Sequence, residues 1–197
     1  MPMPRDDLRS VDALEVLVLV DNVLDVLSTT PDSVTSELPN IRKAGAKELG
    51  GKCLCCGAWG LSLVITTVAD GERRSLLFDS GPEAYALERN ARRLGFDWGT
   101  IDCAVVSHGH FDHAAGMPKA LQLASAANGG RKVPVHVNPG MFPRRGVVIS
   151  EEGEVFPLGE VCPRRKSCPL PAARWSAPTR RARCSTAPSW SVARSRA

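Results

Sequence analysis

The sequence predicts an α/β (α+β) fold, and two observations indicate it. Short apolar runs rich in Val, Leu and Ile recur between residues 14 and 160 and are separated by turn residues, which is typical of buried strands. Between two of these runs, Pro82–Leu94 has its apolar residues roughly on one helical face, with Pro at its start and Gly95 just past its end. Strands that alternate with helices are the pattern of this fold class.

The first predicted strand is Leu14–Val20, an apolar run typical of a strand buried on both faces or at the core of a sandwich. The next two strands are Gly60–Ala69 and Arg74–Phe78. They are joined by Asp70-Gly71, a dipeptide that strongly favours a tight turn between antiparallel strands. We therefore predict a β-hairpin here.

The segment between these strands, residues 29–57, is rich in Pro, Ser, Asn, Gly and Lys and predicts a loop or lid with little regular structure. Near its end stand Cys53, Cys55 and Cys56, which could form a structural zinc site or could be plain thiols of a variable loop. A zinc site needs further Cys or His residues at a matching spacing, which this C-x-C-C run lacks. The plain thiols are therefore favoured.

The later part of the chain predicts further elements of both kinds. These are a strand at Ile101–Val106, a helix from about Asp112 to Ala127, a strand at Lys132–Val137 and a hairpin made by Val147–Ile149 and Glu154–Phe156. His136 lies on one of these strands with apolar neighbours, so a packed or edge histidine is favoured over a ligand. The adjacent Arg144 and Arg145 could receive a phosphate or carboxylate.

The cysteines and the N-terminus bear on the compartment. The chain has seven cysteines without a repeated spacing, which argues against a disulfide framework and favours a reducing compartment. The apolar run near the N-terminus follows acidic residues and is too short for a secretory signal or a membrane span. We expect a cytoplasmic protein with no membrane partner.

The last 36 residues differ sharply from the rest of the chain. Residues 162–197 hold nine of the 25 basic residues and none of the 21 acidic ones, which leaves residues 1–161 with a net charge of −5. Arg, Ala, Pro and Ser make up 26 of these 36 residues, and no strand or helix period survives. We predict one domain at 1–161 and a disordered tail at 162–197, because such a composition buries too little apolar surface to fold.

The densest concentration of chemically capable side chains is the run SHGHFDHAAGM at residues 107–117. Three of the four histidines of the protein fall within it, together with one aspartate: His108, His110, Asp112 and His113. Imidazole and carboxylate groups crowd in this way where transition metals must be held at about 2.0–2.2 Å. The run lies between a predicted strand and a predicted helix, and Gly109 leaves its backbone free to curl. We predict a metal site in this strand-to-helix loop.

Asp79 is a second candidate for this site because it follows directly after a predicted strand. A carboxylate there could orient a metal-bound histidine or water, or it could cap backbone amides of the turn. The alternatives are nearly balanced on the local sequence.

Several phrases of the sequence resemble a known family. SHGHFDHAAGM resembles the H-x-H-x-D-H signature of the metallo-β-lactamase superfamily, and LLFDSGP at Leu76–Pro82 resembles the strand and turn that precede it there. VLVDNVLD, WGLSLVI and NARRLGFDWGTID resemble more narrowly the branch of dihydropterin-ribofuranosyl-aminobenzene-phosphate synthases and related hydrolases. The resemblance covers about residues 14–160. It implies the N-terminal half of an αββα sandwich.

The resemblance also implies roles for single residues. His108 and His110 would help to hold one metal ion, and Asp112 and His113 its neighbour, with zinc suiting this mixed donor set and iron or manganese as alternatives. Asp112 would also orient the attacking hydroxide. Asp79 would serve in support, as would Asp21 in a weaker way, although a turn-capping carboxylate is the favoured interpretation of Asp21.

The resemblance implies further ligands from a second half of the sandwich, and the chain has no histidine after His136. We therefore expect a chain truncated or frameshifted after about residue 161, with the apolar face of the strands that begin near Leu14 and Leu61 exposed. The function expected is a metal-dependent hydrolase acting on a small ester or phosphoester. Alternatives are a pterin-precursor synthase of the same fold, an inactive remnant and, less favoured, non-specific nucleic-acid binding through the basic tail.

Overall fold

The computed structural model describes residues 10–143, 145–158 and 191–193, the last three by their backbone alone. A five-stranded sheet is formed, in spatial order, by β1 Ala13–Val20, β2 Ser62–Ala69, β3 Glu72–Phe78, β4 Ile101–Val106 and β5 Val135–Val137. The α-helices are α1 Glu37–Lys43, α2 Ala84–Arg93, α3 Phe111–Ala114 and α4 Met117–Ala127. Among the described residues no helix is long and apolar enough to cross a membrane.

The sheet is mixed, with an antiparallel and a parallel part. Strands β1, β2 and β3 pair antiparallel, whereas β3, β4 and β5 pair parallel. The turn between β2 and β3 has Asp70 at φ 52° and Gly71 at φ 77°, the two left-handed residues that a type I′ hairpin requires. The predicted hairpin and the α/β fold class are both confirmed.

Helices α2 and α4 cover one face of this sheet. Leu87 and Ala91 of α2 and Ala120 of α4 are at most 1% exposed and belong to one apolar cluster with strand residues such as Leu77 and Ala104. The crossover from β3 to β4 contains α2, and the crossover from β4 to β5 contains α3 and α4. Parallel neighbours need such crossovers, so the end of β4 leads directly into the histidine-rich loop.

The opposite face of the sheet stays open at β1. Leu14, Val16 and Val18 are 61%, 53% and 47% exposed, and only Leu19 and Val20 at the end of the strand are buried. The prediction that this strand is buried, either on both faces or at the core of a sandwich, is wrong over most of its length, because no described element covers these three side chains. The expectation of an exposed apolar face is confirmed for them.

Two predicted segments differ in detail from the structure. The segment 29–57 contains the short helix α1, whose one buried residue is Ile41. The helix expected from about Asp112 to Ala127 is divided into α3 and α4 around Gly116, where a Cβ atom would lie 2.1 Å from the carbonyl oxygen of Ser80. A close tertiary contact therefore interrupts a segment whose local composition favours one helix.

A second, three-stranded sheet follows the first. It consists of β6 Arg145–Val148, β7 Val155–Pro157 and β8 Ser191–Ala193, in the order β7-β6-β8. The pairing of β6 with β7 confirms the predicted hairpin. The tail predicted to be disordered lies outside the described residues except for β8, which pairs parallel with β6. The disorder of the tail stays a prediction.

Candidate metal centre

The motif lies where β4 ends and α3 begins. Ser107, His108 and Gly109 form the loop, and His110 is the N-cap residue of α3 in an extended conformation. The predicted strand-to-helix loop is thus present, and all three imidazoles of the motif are only partly exposed.

The first pair of donor atoms belongs to the loop itself. His108 Nε2 and His110 Nδ1 are 3.1 Å apart. Two nitrogen ligands at about 2.05 Å from one tetrahedral zinc ion are separated by about 3.3 Å. The two histidines therefore already have the spacing of two ligands that share an ion.

The second pair comes from the first turn of α3. His113 Nε2 and Asp112 Oδ2 are 3.5 Å apart, with their side chains 21% and 17% exposed. The His113 ring lies against the His108 ring, with 4.3 Å between the ring centroids. The two pairs are therefore neighbours, as two sites served by one loop must be.

Asp79 contacts both donor pairs, His113 directly and His108 through Ser107. It is fully buried and has φ 58°, and its carboxylate accepts hydrogen bonds from three donors: the amide of Ser107 at 2.8 Å, the hydroxyl of Ser107 at 2.7 Å and His113 Nδ1 at 2.8 Å. An ionised carboxylate only accepts, so His113 carries its proton on Nδ1 and keeps the Nε2 lone pair for a ligand. Asp79 thus contacts a histidine of the motif, and the amide that it caps belongs to Ser107 instead of its own turn; its function at a metal site stays a prediction.

The same carboxylate sets the tautomer of His108 through Ser107. The single hydroxyl proton of Ser107 is donated to Asp79, so its oxygen accepts the bond from His108 Nδ1, 2.9 Å away. His108 then presents Nε2 as a lone pair towards His110. Ser107 was not among the predicted site residues, because a serine beside a histidine carries no signal of this contact.

The electrostatics of the loop favour neutral imidazole. Burial, together with repulsion from His113 and His110, holds the pKa of His108 below its usual value, against the attraction of Asp79 and Asp112. Neutral imidazole is the form that binds metals. The loop therefore keeps His108 ready for a cation at lower pH than a free histidine.

Backbone hydrogen bonds fix α3 onto the sheet. The carbonyl of His113 accepts from the amide of Ser80 at 2.7 Å and from its hydroxyl at 3.1 Å, and the carbonyl of Asp112 accepts from the amide of Leu61 at 3.3 Å. A Cβ atom on Gly60 would lie 2.0 Å from the carbonyl oxygen of Asp112. The donor residues therefore sit on a rigid support.

Other predicted candidates lie elsewhere. The carboxylate of Asp21 accepts from the amide of Asn22 at 2.7 Å, the turn-capping contact that was favoured for it, and its supporting function at the site stays a prediction. His136 is exposed on β5, the edge strand of the sheet, opposite Val105. Within the described part of the chain, Cys53, Cys55 and Cys56 are free thiols, and burial raises the pKa of Cys55 to about 12.

The donors suit zinc in kind and in spacing but fall short in number. The described residues contain no group of three or more His, Cys, Asp and Glu side chains that could hold one ion. They supply two pairs instead, whereas zinc sites in proteins use about three protein ligands or more. The described residues therefore provide about half of the ligands for each of two zinc ions.

Comparisons with known proteins show the family of the chain. A family model described as the Metallo-beta-lactamase superfamily matches residues 60–159. The chain is 28% identical over 83 residues to the 7,8-dihydropterin-6-methyl-4-(beta-D-ribofuranosyl)-aminobenzene-5'-phosphate synthase of Methanocaldococcus jannaschii, which covers 42% of this chain and 26% of that protein. The chain thus spans about a quarter of the length of this curated relative.

Solved structures with similarity to the chain include two metallo-β-lactamases. One is a HARLDQ-motif mutant from Cronobacter sakazakii, at 28% identity, with 42% of this chain and 29% of that chain covered and a TM-score of 0.31. The other is MIM-1 from Novosphingobium pentaromativorans, at 26% identity, with 53% and 39% covered and a TM-score of 0.30. The family model, which includes the whole motif loop and matches half of the chain, decides the assignment: the chain belongs to the metallo-β-lactamase superfamily.

Proposed function

We propose that this chain carries the first metal-binding loop of a metal-dependent hydrolase that acts on a small ester or phosphoester. The single observation that carries the proposal is the placement of two donor pairs, 3.1 Å and 3.5 Å apart, side by side above the buried carboxylate of Asp79. His108 and His110 would hold one ion, and Asp112 and His113 a second. Zinc suits this set, with iron or manganese as alternatives.

Divalent ions at these positions would supply Lewis acidity and a water molecule of lowered pKa. The side chains of the protein would orient the ligands and the attacking water. Asp79 holds His108 and His113 in the tautomer that keeps the Nε2 lone pair, so these two rings need no change of tautomer when a cation binds, whereas His110 must give up its Nδ1 proton. Asp112, whose side chain is 17% exposed and has Oδ2 3.5 Å from His113 Nε2, would orient the attacking water and accept its proton.

The supply of ligands limits this activity in the chain alone. The described residues supply two donors for each ion, which would leave coordination positions to water, weaken retention of the ions and leave the nucleophile poorly fixed. The curated relative is about four times as long as the stretch that this chain covers. We propose that the remaining ligands come from further chain of that kind, and that without them this chain is a poor hydrolase.

The similarity to a protein named as a dihydropterin-ribofuranosyl-aminobenzene-phosphate synthase supports a second candidate, a pterin-precursor synthase reaction at the same site. Both activities would use the same donor pairs and a small-molecule substrate. A cytoplasmic location is part of the proposal, since the cysteine usage favours a reducing compartment. An inactive remnant that binds metal weakly is the outcome that an assay must exclude.

The test begins with metal content. Purified protein is loaded with zinc, passed over a desalting column and analysed for metal, beside a His108→Ala/His110→Ala double variant and a Cys53→Ser/Cys55→Ser/Cys56→Ser triple variant. We expect the histidine variant to lose most of the zinc and the cysteine variant to keep it. The reverse result would sink the assignment of the site.

The second stage measures turnover. The zinc-loaded and manganese-loaded protein is assayed against a phosphodiester and an ester, with Asp112→Asn as the variant that lacks the proton-accepting carboxylate. We expect slow turnover that Asp112→Asn abolishes. Turnover that survives this substitution would place the chemistry elsewhere.

A further inference from the structure

Arg145 reaches back from the start of β6 to the motif loop. Its Nη1 donates hydrogen bonds to the carbonyl oxygen of Gly109 at 3.0 Å and to that of Met141 at 2.8 Å. Gly109 lies 36 residues earlier in the chain. One guanidinium nitrogen therefore joins the loop after β4 to the turn after β5.

The two backbones are in close contact at this point. A Cβ atom on Gly109 would lie 2.1 Å from the carbonyl oxygen of Met141 and 2.9 Å from Arg145 Nη1. Gly109 is buried and Met141 is 4% exposed. Both carbonyl oxygens belong to buried residues and accept from the same Nη1, and a buried carbonyl without a donor costs about 1–3 kcal/mol.

The carbonyl of Gly109 belongs to the peptide that leads into His110. The plane of this peptide sets the direction of the His110 Cα–Cβ bond and hence the place of Nδ1. We infer that Arg145 is a positioning residue for the first donor pair: it fixes this peptide so that His110 Nδ1 stays 3.1 Å from His108 Nε2. The expected effect of Arg145 on zinc affinity rests on the proposed function, whereas its effect on the distance between the two imidazoles does not.

Charge and geometry make opposite demands here, which allows a sharp test. The guanidinium of Arg145 contacts Gly109, the residue between two of the predicted metal ligands, and its positive charge repels a divalent cation. If Arg145 acted through its charge alone, it would weaken zinc binding, and its removal would strengthen zinc binding. A positioning residue does the reverse. The sign of the change in zinc affinity upon removal of Arg145 therefore separates the two.

The variants are Arg145→Ala and Arg145→Lys in the full chain, with Arg131→Ala as matched control. Arg131 also donates to a backbone carbonyl, that of Ile101 at 3.3 Å, but at the far end of β4. Zinc affinity is measured by competition with a chromophoric chelator. We expect Arg145→Ala to weaken binding about tenfold, Arg145→Lys about threefold and Arg131→Ala less than twofold, as for groups that orient ligands. Unchanged or tighter zinc binding in folded Arg145→Ala would overturn the inference.

A readout without metal keeps the inference separate from the proposed function. In the metal-free protein, imidazole ¹⁵N shifts report the hydrogen bond between His108 Nε2 and His110 Nδ1. We expect this bond in the wild type and in Arg131→Ala, and its loss in Arg145→Ala or, if that variant does not fold, its weakening in Arg145→Lys. If the wild type binds no zinc, the proposed function fails, while the ¹⁵N shifts still decide on Arg145: a bond retained in every variant refutes the positioning role.

Discussion

Replacement of Asp79 by Asn tests the centre of the site with the smallest change of shape. Asn tolerates the left-handed backbone at φ 58°, so the turn itself is preserved. Its amide keeps one acceptor, which suffices for the Ser107 amide, but it presents an N–H group to His113 Nδ1 and to the Ser107 hydroxyl. His113 must then accept at Nδ1 and carry its proton on Nε2, the atom that should bind metal.

The magnitude follows from the three contacts that the buried carboxylate makes. Hydrogen bonds to a charged group contribute about 1.5–3 kcal/mol each. All three lose their ionised acceptor and two of them lose an acceptor altogether, while the switched tautomer of His113 restores part of the loss. We expect the free energy of unfolding to fall by about 2 kcal/mol. Zinc affinity should fall 10- to 100-fold, as when the partner of a ligating histidine is removed.

The control is Asp102→Asn. Asp102 also accepts a backbone hydrogen bond, from the amide of Ser75 at 2.9 Å, but its side chain is 34% exposed and lies at the beginning of β4. Urea unfolding and chelator competition are measured on both variants. Asp79→Asn should lose stability and zinc affinity, whereas Asp102→Asn should lose less than about 1 kcal/mol and no affinity. Wild-type zinc affinity in Asp79→Asn would refute the tautomer argument.

Three further outcomes are expected. Burial holds the pKa of His108 below its usual value, so as the pH falls below about 6.5 the unfolded state takes up the proton before the folded state does, and the metal-free protein should lose stability. Urea unfolding midpoints at about pH 7.5 and 5.5 measure this loss. A His108→Gln variant whose stability depends on pH as strongly as that of the wild type would contradict the expectation. Val16→Thr on the exposed face should lower the free energy of unfolding by less than about 0.5 kcal/mol, whereas Val64→Thr in the core should lower it by about 1–3 kcal/mol. Thermal unfolding of both variants measures this, and equal losses would show that Val16 is buried in the folded protein. Gly60→Ala should displace α3 and weaken zinc binding, because the added Cβ meets the carbonyl oxygen of Asp112. Gly71→Ala also has a positive φ, but its Cβ meets no other atom, so this variant should lower the free energy of unfolding without changing zinc affinity. Identical zinc affinities in the two variants would argue against the support described for α3.

Much of the fold could be predicted because its signals are local. The Asp70-Gly71 turn requires two left-handed residues, and this pair supplies them at little cost, so the hairpin register follows from the dipeptide. The strand β4 has the predicted bounds, since five of its six residues are apolar and only Asp102 is charged. The short helix α1 was not predicted, because one buried residue in seven gives it almost no amphipathic signal.

The site was only partly predictable. The spacing of His108, His110 and His113 marks the loop, because these residues are close in sequence. The functions of Asp79 and Arg145 depend on partners 28 to 36 residues away, which no local pattern indicates. The interruption of the helix at Gly116 has the same origin, a contact with Ser80 across the fold.

X-ray absorption at the zinc edge of the zinc-loaded protein tests the central claim most directly. Imidazole nitrogen and carboxylate oxygen ligands lie at about 2.0–2.2 Å from zinc, and thiolate sulfur lies at about 2.3 Å. If His108, His110, Asp112 and His113 hold the metal, the first shell contains only nitrogen and oxygen, with the multiple scattering of at least one imidazole ring. A sulfur shell from Cys53, Cys55 or Cys56, or a shell of water oxygens without imidazole, would contradict the assignment of the metal centre to the loop after β4.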